Sequence, residues 1–130
     1  MNWGCSRLSS ILPVLGLLLV ATLSLTPLRA GQADVLQATI QAQGERLYQI
    51  QVTVRHRDTG WSHYANRWEV IGPQGQVLAK RQLHHPHVDE QPFTRTLTGV
   101  GIPFGYTWVK IRAHDSIHGY GGREVTLSVP

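Results

Sequence analysis

The chain has 130 residues, with 12 Lys and Arg against 8 Asp and Glu and a formal net charge of +4 at pH 7. The two signs are interspersed along the sequence and form no basic stripe, so the charge pattern argues against nucleic acid as a partner. The one cysteine, Cys5, lies near the N-terminus, which leaves the rest of the chain without a disulfide or a thioether lipid anchor.

Residues 1–33 have the layout of a helical secretory signal peptide. A short segment with one charge, Arg7, precedes an apolar run from Ile11 to Leu25, and small residues follow. Cleavage after Ala30 and cleavage after Ala33 both fit the small-residue rule. The run of about 15 apolar residues is shorter than the ~20 that span a bilayer, which favours a cleaved signal peptide over a membrane anchor. We expect contact with a membrane only through the signal segment before it is cleaved. We therefore expect a periplasmic or secreted protein.

Residues 34–130 suit a single β-domain, since ~97 residues are near the size at which a domain folds without covalent cross-links. Apolar side chains alternate with polar ones at period two, for example from Tyr48 to Val54 and from Val109 to Ala113. The same alternation, strong or weak, predicts strands over residues 35–42, 47–56, 66–71, 77–83, 93–98, 108–115 and 123–129. Glycine-rich and proline-rich turns separate them. The pattern predicts an antiparallel β-sandwich of about seven strands.

One segment resembles a known domain family. The string "LTGVGIPFGYTWVKIRAHDSIHG", residues 97–119, is similar to the E to G region of fibronectin type III domains, and Val109, Ile111 and Ala113 match its alternating strand. The sequence departs from the family at the corner tyrosine, whose place Thr107 holds. This resemblance implies a sandwich of the immunoglobulin or fibronectin type III kind.

A second resemblance covers most of the domain. The strings "HPHVDEQPFTRTLTGVGIP" and "AHDSIHGYGGRE" are similar to short secreted bacterial proteins of a family of unknown function. The resemblance implies export and a β-fold. It implies no activity.

Three histidines and two carboxylates fall within the seven residues His84 to Glu90. Pro86 biases His85 to an extended conformation. In a strand His85 and His87 would share a face, whereas in a polyproline helix His84 and His87 would do so. In both cases two imidazoles converge, and a metal site needs at least one further ligand.

That ligand would come from Asp89 or Glu90, or from His114, Asp115 and His118 near the C-terminus. The predicted metal ligands are His84, His85, His87, His114 and His118, with His63 as a further candidate from a third loop. Imidazole and carboxylate ligands favour Zn²⁺ or Cu²⁺. The alternative is a structural role, in which these histidines only hydrogen-bond turns.

No constellation predicts catalysis, so we expect a protein that is not an enzyme. His114, Asp115 and Ser116 carry the residue types of a catalytic triad, but adjacent side chains in a strand point to opposite faces. Asp89 and Glu90 diverge for the same reason.

Four aromatic residues complete the candidates. Trp68 lies in a predicted central strand and is expected in the core. Trp61, Tyr64 and Tyr120 lie in predicted loops, where such side chains serve protein or glycan binding or simply cover the ends of a sandwich. The sequence thus favours a secreted binding module, with either a metal ion or a protein or glycan as its partner.

Overall fold

The structure is a computed structural model, and it describes Gly4 and residues 31–130. These residues form seven strands and no helix. The strands are β1 (Asp34–Gly44), β2 (Leu47–Arg55), β3 (Ala65–Ile71), β4 (Val77–Gln82), β5 (Phe93–Gly101), β6 (Trp108–Asp115) and β7 (Val125–Ser128). Most of the predicted signal peptide and its helix lie outside the described residues. Within the described part of the chain, no helix is long and apolar enough to cross a membrane.

The strands form two antiparallel sheets, one in the order β1-β2-β5 and the other in the order β4-β3-β6-β7. In the first sheet, Val52 of β2 lies between Ala38 and Arg95 of its neighbours. In the second, Trp68 of β3 lies between Arg81 and Ala113. The prediction of an all-β fold with about seven antiparallel strands is confirmed.

The core lies between the two sheets, and the alternation in the sequence predicts which side chains enter it. In β2 the residues Tyr48, Ile50, Val52 and Val54 are all buried, while their neighbours face outward. In β6 the buried residues are Val109, Ile111, Ala113 and Asp115. Trp68 is 0% exposed, as expected of a large ring between sheets. Because both sheets contribute to one apolar cluster, the domain is a sandwich.

Strand pairing brings four segments to the same end of the sandwich. Asp34 at the start of β1 pairs with Arg55 at the end of β2, and Ala65 at the start of β3 pairs with Asp115 at the end of β6. We call this end the loop end; it consists of residues 31–33, 56–64, 83–92 and 116–124. Three of these segments contain histidines, 56–64, 83–92 and 116–124, whereas His114 lies in β6.

Candidate metal centre

A buried cluster of His56, His63 and Asp115 lies at the loop end. His56 directly follows β2 and takes the next inward position after Val54, and Asp115 is the last inward position of β6. Because β2 and β6 belong to opposite sheets, the two polar side chains meet across the end of the apolar core. His63 reaches them from the β2–β3 loop.

The side chains of the cluster converge on one carboxylate oxygen. The Nε2 atom of His63 lies 2.7 Å from Oδ2 of Asp115, and Nε2 of His56 is hydrogen-bonded to the same oxygen. One ligand atom from each of the three residues falls within 4.8 Å of the others. His56 and Asp115 are fully buried, whereas the side chain of His63 is 23% exposed. Solvent therefore reaches the cluster from the side of His63.

Two further groups lie beside these three. The carbonyl oxygen of Gly31 is 2.9 Å from Nε2 of His56 and 3.3 Å from Nε2 of His63. His118 places Nδ1 3.3 Å from the other carboxylate oxygen of Asp115, and its ring centroid is 5.0 Å from that of His63. The carbonyl oxygen of Gly31 thus lies beside the two imidazole nitrogens, and His118 lies on the other side of the carboxylate.

Backbone groups hold Asp115 in place. Its Oδ1 atom accepts the N–H groups of Ile117 and His118, both at 2.6 Å. These bonds occupy Oδ1 and leave Oδ2 to the two imidazoles. Burial acts most strongly on this carboxyl and raises its pKa, but the N–H groups of His118 and Ile117, the bond with His63 and the charge of His56 together lower the pKa below its usual value. Asp115 is therefore ionised at neutral pH.

Asp58 holds His56. Its Oδ1 atom lies 2.5 Å from Nδ1 of His56 and also accepts the N–H of Ala65 at 3.0 Å. Its Oδ2 atom accepts the N–H of His87 at 2.7 Å. A carboxylate that orients an imidazole through its second nitrogen is the usual outer partner of a metal-binding histidine. Asp58 thereby connects the β4–β5 loop to the cluster.

The tautomer of His56 follows from this bond. A carboxylate can only accept, so Nδ1 of His56 carries a proton and donates it to Asp58. In neutral imidazole the Nε2 atom then presents a lone pair to two oxygens, those of Asp115 and Gly31. The contact is attractive only if a proton or a metal cation lies between them.

In the ion-free protein a proton takes that place. Burial has the largest effect on His56 and lowers its pKa, but the bonds with Asp58 and Gly31 and the negative charges of Asp115 and Asp58 together raise the pKa above 6.5. Two imidazole nitrogens and a carboxylate oxygen are ligands that suit Zn²⁺ and Cu²⁺. Ligand atoms around a tetrahedral ion with bonds of ~2.0 to 2.2 Å are about 3.4 Å apart. Outward shifts of less than about 1 Å from the 2.7 Å contact would therefore admit an ion.

A cavity of about 610 Å³ adjoins the cluster. Gly31, His56 and His63 form part of its wall, as do Arg55 and Arg57. The imidazoles are therefore reached from solvent through this cavity.

The β4–β5 loop carries His84, His85 and His87, which were predicted as ligands. His84 and His85 are exposed. His87 is buried, stacks on Phe93 at 3.9 Å between ring centroids, and accepts a bond of 2.8 Å from Arg95 at Nε2. The structure thus links this loop to the cluster by the backbone N–H of His87, 2.7 Å from Oδ2 of Asp58, while Nδ1 of its ring lies 4.0 Å from the same oxygen. Metal binding by these three histidines stays a prediction.

The other two predicted ligands lie on different sides of β6. His118 is beside the cluster, as described above. His114 faces the outer surface of the sheet, where Nδ1 donates to Oδ1 of Asn66 at 2.6 Å and the ring packs against Tyr120. Burial, and then the charge of Arg67, lower the pKa of His114.

The sequence interpretation named His63 and Asp115 as further ligands and missed His56. A signal for His56 exists, because it continues the inward phase of Tyr48, Ile50, Val52 and Val54 beyond the last apolar residue. A histidine in the inward phase at the end of a strand is expected at the mouth of the core.

The predicted interaction residues differ in exposure. Trp61 is 68% exposed, and its ring packs edge-on against Tyr64 with centroids 5.6 Å apart. Tyr120 is instead part of a polar network, since its hydroxyl donates to Glu69 at 2.7 Å and its ring lies under the guanidinium of Arg112. Their role in binding stays a prediction.

No family model matches this sequence. Over 96 residues the chain is 40% identical to a protein of the archaeon Halomicrobium mukohataei named "Putative lipoprotein", a match that covers 74% of this chain and 47% of that protein. The chain thus spans about half the length of the curated relative it matches. The relative's name states no activity, which agrees with the resemblance to proteins of unknown function, although that resemblance was to bacterial proteins.

A solved structure, the crystal structure of a hypothetical protein from Pyrococcus horikoshii OT3, is also similar to this chain. The two are 15% identical with a TM-score of 0.44, and the match covers 78% of this chain and 95% of the other.

Proposed function

We propose that this protein is an extracytoplasmic binding module that holds one divalent transition-metal ion, Zn²⁺ or Cu²⁺, at His56, His63 and Asp115. The observation that carries the proposal is the convergence of two imidazole nitrogens on one buried carboxylate oxygen, all within 4.8 Å. Burying a carboxylate and an imidazole destabilises the folded state unless a hydrogen bond, an opposite charge or a metal ion compensates them. A bound cation would satisfy all three side chains at once.

The surrounding groups support an ion more than a simple ion pair. An ion pair between His56 and Asp115 needs one proton and one bond, yet His63 and Gly31 also direct polar atoms to the same point. Asp58 fixes the ring of His56 with Nε2 directed at Asp115. The cavity beside the imidazoles gives an ion a route in from solvent.

Two observations support a place outside the cytoplasm. The N-terminal sequence has the layout of an export signal. The relative from Halomicrobium mukohataei carries the word lipoprotein in its name. We infer from them that the domain meets its metal in the cell envelope or beyond it.

Calorimetric titration of the purified protein with Zn²⁺ and with Cu²⁺ tests the proposal. The expected result is one ion per chain, a rise in the melting temperature on binding, and reversal of both by a chelator. His63→Ala removes a partly exposed ligand and should weaken binding by at least about tenfold, a loss of the size seen when metal-site groups are changed.

His85→Ala is the matched control. It also removes one imidazole from the loop end, but from an exposed position away from the cluster. Its affinity for the ion should equal that of the unchanged protein. Equal losses in the two variants, or superimposable melting curves with and without metal, would contradict the proposal.

A second candidate function is a protein or glycan interaction module. Trp61 and Ile117 are 68% and 63% exposed and lie in the two loops that supply His63 and His118. Exposed large side chains on neighbouring loops are typical of contact surfaces. Capture of a partner from envelope extract by the unchanged protein, and its loss with Trp61→Ala, would support this function.

We also infer that the sandwich is of the fibronectin type III kind. Val109, Ile111 and Ala113, which carry that resemblance, are all buried in β6. This inference concerns the fold alone.

A further inference from the structure

The backbone of Gly31 is part of the cluster. Its carbonyl oxygen lies 2.9 Å from Nε2 of His56 and 3.3 Å from Nε2 of His63. Those are the two nitrogen atoms that would bind the ion under the proposed function. The carbonyl oxygen of Gly31 therefore lies where it could be a further ligand.

A side chain at position 31 would displace the ring of His118. A Cβ atom on residue 31 would lie 2.4 Å from Cε1 and 2.9 Å from Nδ1 of His118. The φ angle of Gly31 is also positive, at +119°, in a region that L side chains rarely adopt. The backbone of Gly31 is thus packed directly against the imidazole of His118.

The residues after Gly31 are anchored in the fold. Ala33 is 1% exposed and belongs to the apolar core. Its carbonyl oxygen lies so close to Gly122 that a Cβ there would fall 1.8 Å from it. The N–H of Val35 then donates to the carbonyl of Arg123 at 2.8 Å. Cleavage after Ala33 would remove a core side chain and the carbonyl oxygen of the cluster together.

We propose that export processing hydrolyses the Ala30–Gly31 peptide bond and that the α-amino group of Gly31 then becomes a metal ligand. Water adds to the carbonyl carbon of Ala30 and the C–N bond breaks; Ala30 keeps the water oxygen as a carboxylate, and the nitrogen of Gly31 takes both protons of the water and becomes an ammonium group. The new amine is two bonds from the carbonyl carbon of Gly31. This inference rests on the proposed function, because it adds a ligand to the same site.

Processing changes the chemistry of that nitrogen. In the precursor the nitrogen of Gly31 belongs to an amide, and its lone pair is delocalised into the peptide bond. After hydrolysis the lone pair becomes available to the ion once the ammonium group releases a proton to water, as metal ligands generally do on binding. The amine and the carbonyl oxygen of one residue can close a five-membered ring with the ion. The exported protein therefore offers the ion one more ligand than the precursor does, and it should bind the ion more tightly.

The cleavage site is tested first. The full chain is exported from a bacterial host, and the mass and N-terminal sequence of the purified product are measured. The expected product is residues 31–130. A product that begins at Asp34, or an uncleaved chain, would overturn the inference.

The ligand is tested with a one-residue insertion. A serine inserted between Ala30 and Gly31 leaves a product that begins with Ser-Gly31, in which the nitrogen of Gly31 is again an amide. Its affinity for Zn²⁺ or Cu²⁺ should be at least about tenfold lower than that of the unchanged product. A serine inserted after Gly75, in the exposed turn between β3 and β4, is the control and should leave the affinity unchanged.

The outcomes separate the two proposals. If both N-terminal forms bind metal with the same affinity, the amine is not a ligand and only this inference fails. If neither form binds metal, the proposed function fails and this inference with it.

Discussion

Asp58 and His56 are joined by a contact of 2.5 Å between Oδ1 and Nδ1, and both side chains are completely buried. The bond fixes the direction of Nε2, which points at Asp115. Asp58 does not touch the position of the ion. It is a positioning residue, because it determines the tautomer and the orientation of a ligand.

Asp58→Asn should lower the affinity for the metal by about 10- to 100-fold, since an outer carboxylate of a metal site contributes that much. The amide keeps the shape of the side chain but removes its charge and one acceptor. Competition titration against a chromogenic chelator measures the change. Asp89→Asn removes an exposed carboxylate of the loop end and should have no effect. If both variants bind like the unchanged protein, Asp58 has no role in orienting His56.

Lowering the pH should release the ion. The pKa of His56 is raised above 6.5, because its bonds with Asp58 and Gly31 and the neighbouring carboxylate charges outweigh the opposing effect of burial. His56 therefore keeps its second ring proton at pH 6.5 and somewhat above, and the ion has to displace that proton. The affinity should fall continuously from pH 8 to pH 5, by about tenfold per pH unit for each proton displaced.

Dissociation constants at four pH values, together with an NMR titration of the ion-free protein, measure this effect. The stability of the ion-free protein should change in the opposite direction. Protonated His56 contributes fully to the free energy of unfolding below pH 6.5, and this contribution is lost as the pH rises through the folded pKa of His56. A constant affinity between pH 8 and pH 5, or a midpoint for His56 below 6.5, would contradict the assignment.

Much of the fold follows from the sequence because alternation is a local property. The inward series in β2 and β6 predicts both the strands and their buried faces. The site could be predicted less well, because histidines that are close in the sequence are not the ones that meet in the buried cluster. His84 and His85 are sequence neighbours of His87 yet stay exposed, while His56 and Asp115 are 59 positions apart and touch. Their proximity depends on how the two sheets pack against each other, and no local pattern in the sequence shows that packing.

Glu69 is expected to stabilise the second sheet. It is 1% exposed and is bonded to Arg67 at 3.0 Å and to Arg112 at 2.9 Å. Burial alone would raise its pKa, but the bonds with Tyr120, Arg67 and Arg112 lower the pKa below 4.5. Glu69→Gln should therefore reduce the free energy of unfolding at pH 7 by about 1.5 to 3 kcal/mol, the range for hydrogen bonds to charged groups.

Urea denaturation at pH 7 and at lower pH measures the change. A lowered pKa means that the stabilisation is present above 4.5 and is lost as the pH falls through the folded pKa, so the two proteins should converge in acid. Glu124→Gln is the control, because Glu124 is only in a surface pair with Lys110 at 3.5 Å and should change the stability by less than about 1 kcal/mol. A loss that is independent of pH would point to packing and not to charge.

His118 and His114 provide the sharpest comparison within one short segment. His118 lies beside Asp115 and His63, whereas His114 is bonded to Asn66 on the outer face of the sheet. His118→Ala should weaken metal binding by about tenfold or more if its imidazole completes the ligand set, and His114→Ala should leave the affinity unchanged. Substitution of Co²⁺ gives a second measurement, because the visible absorption of Co²⁺ depends on the number and type of its ligands. A spectrum that changes with His114→Ala and not with His118→Ala would place the ion on the other side of β6.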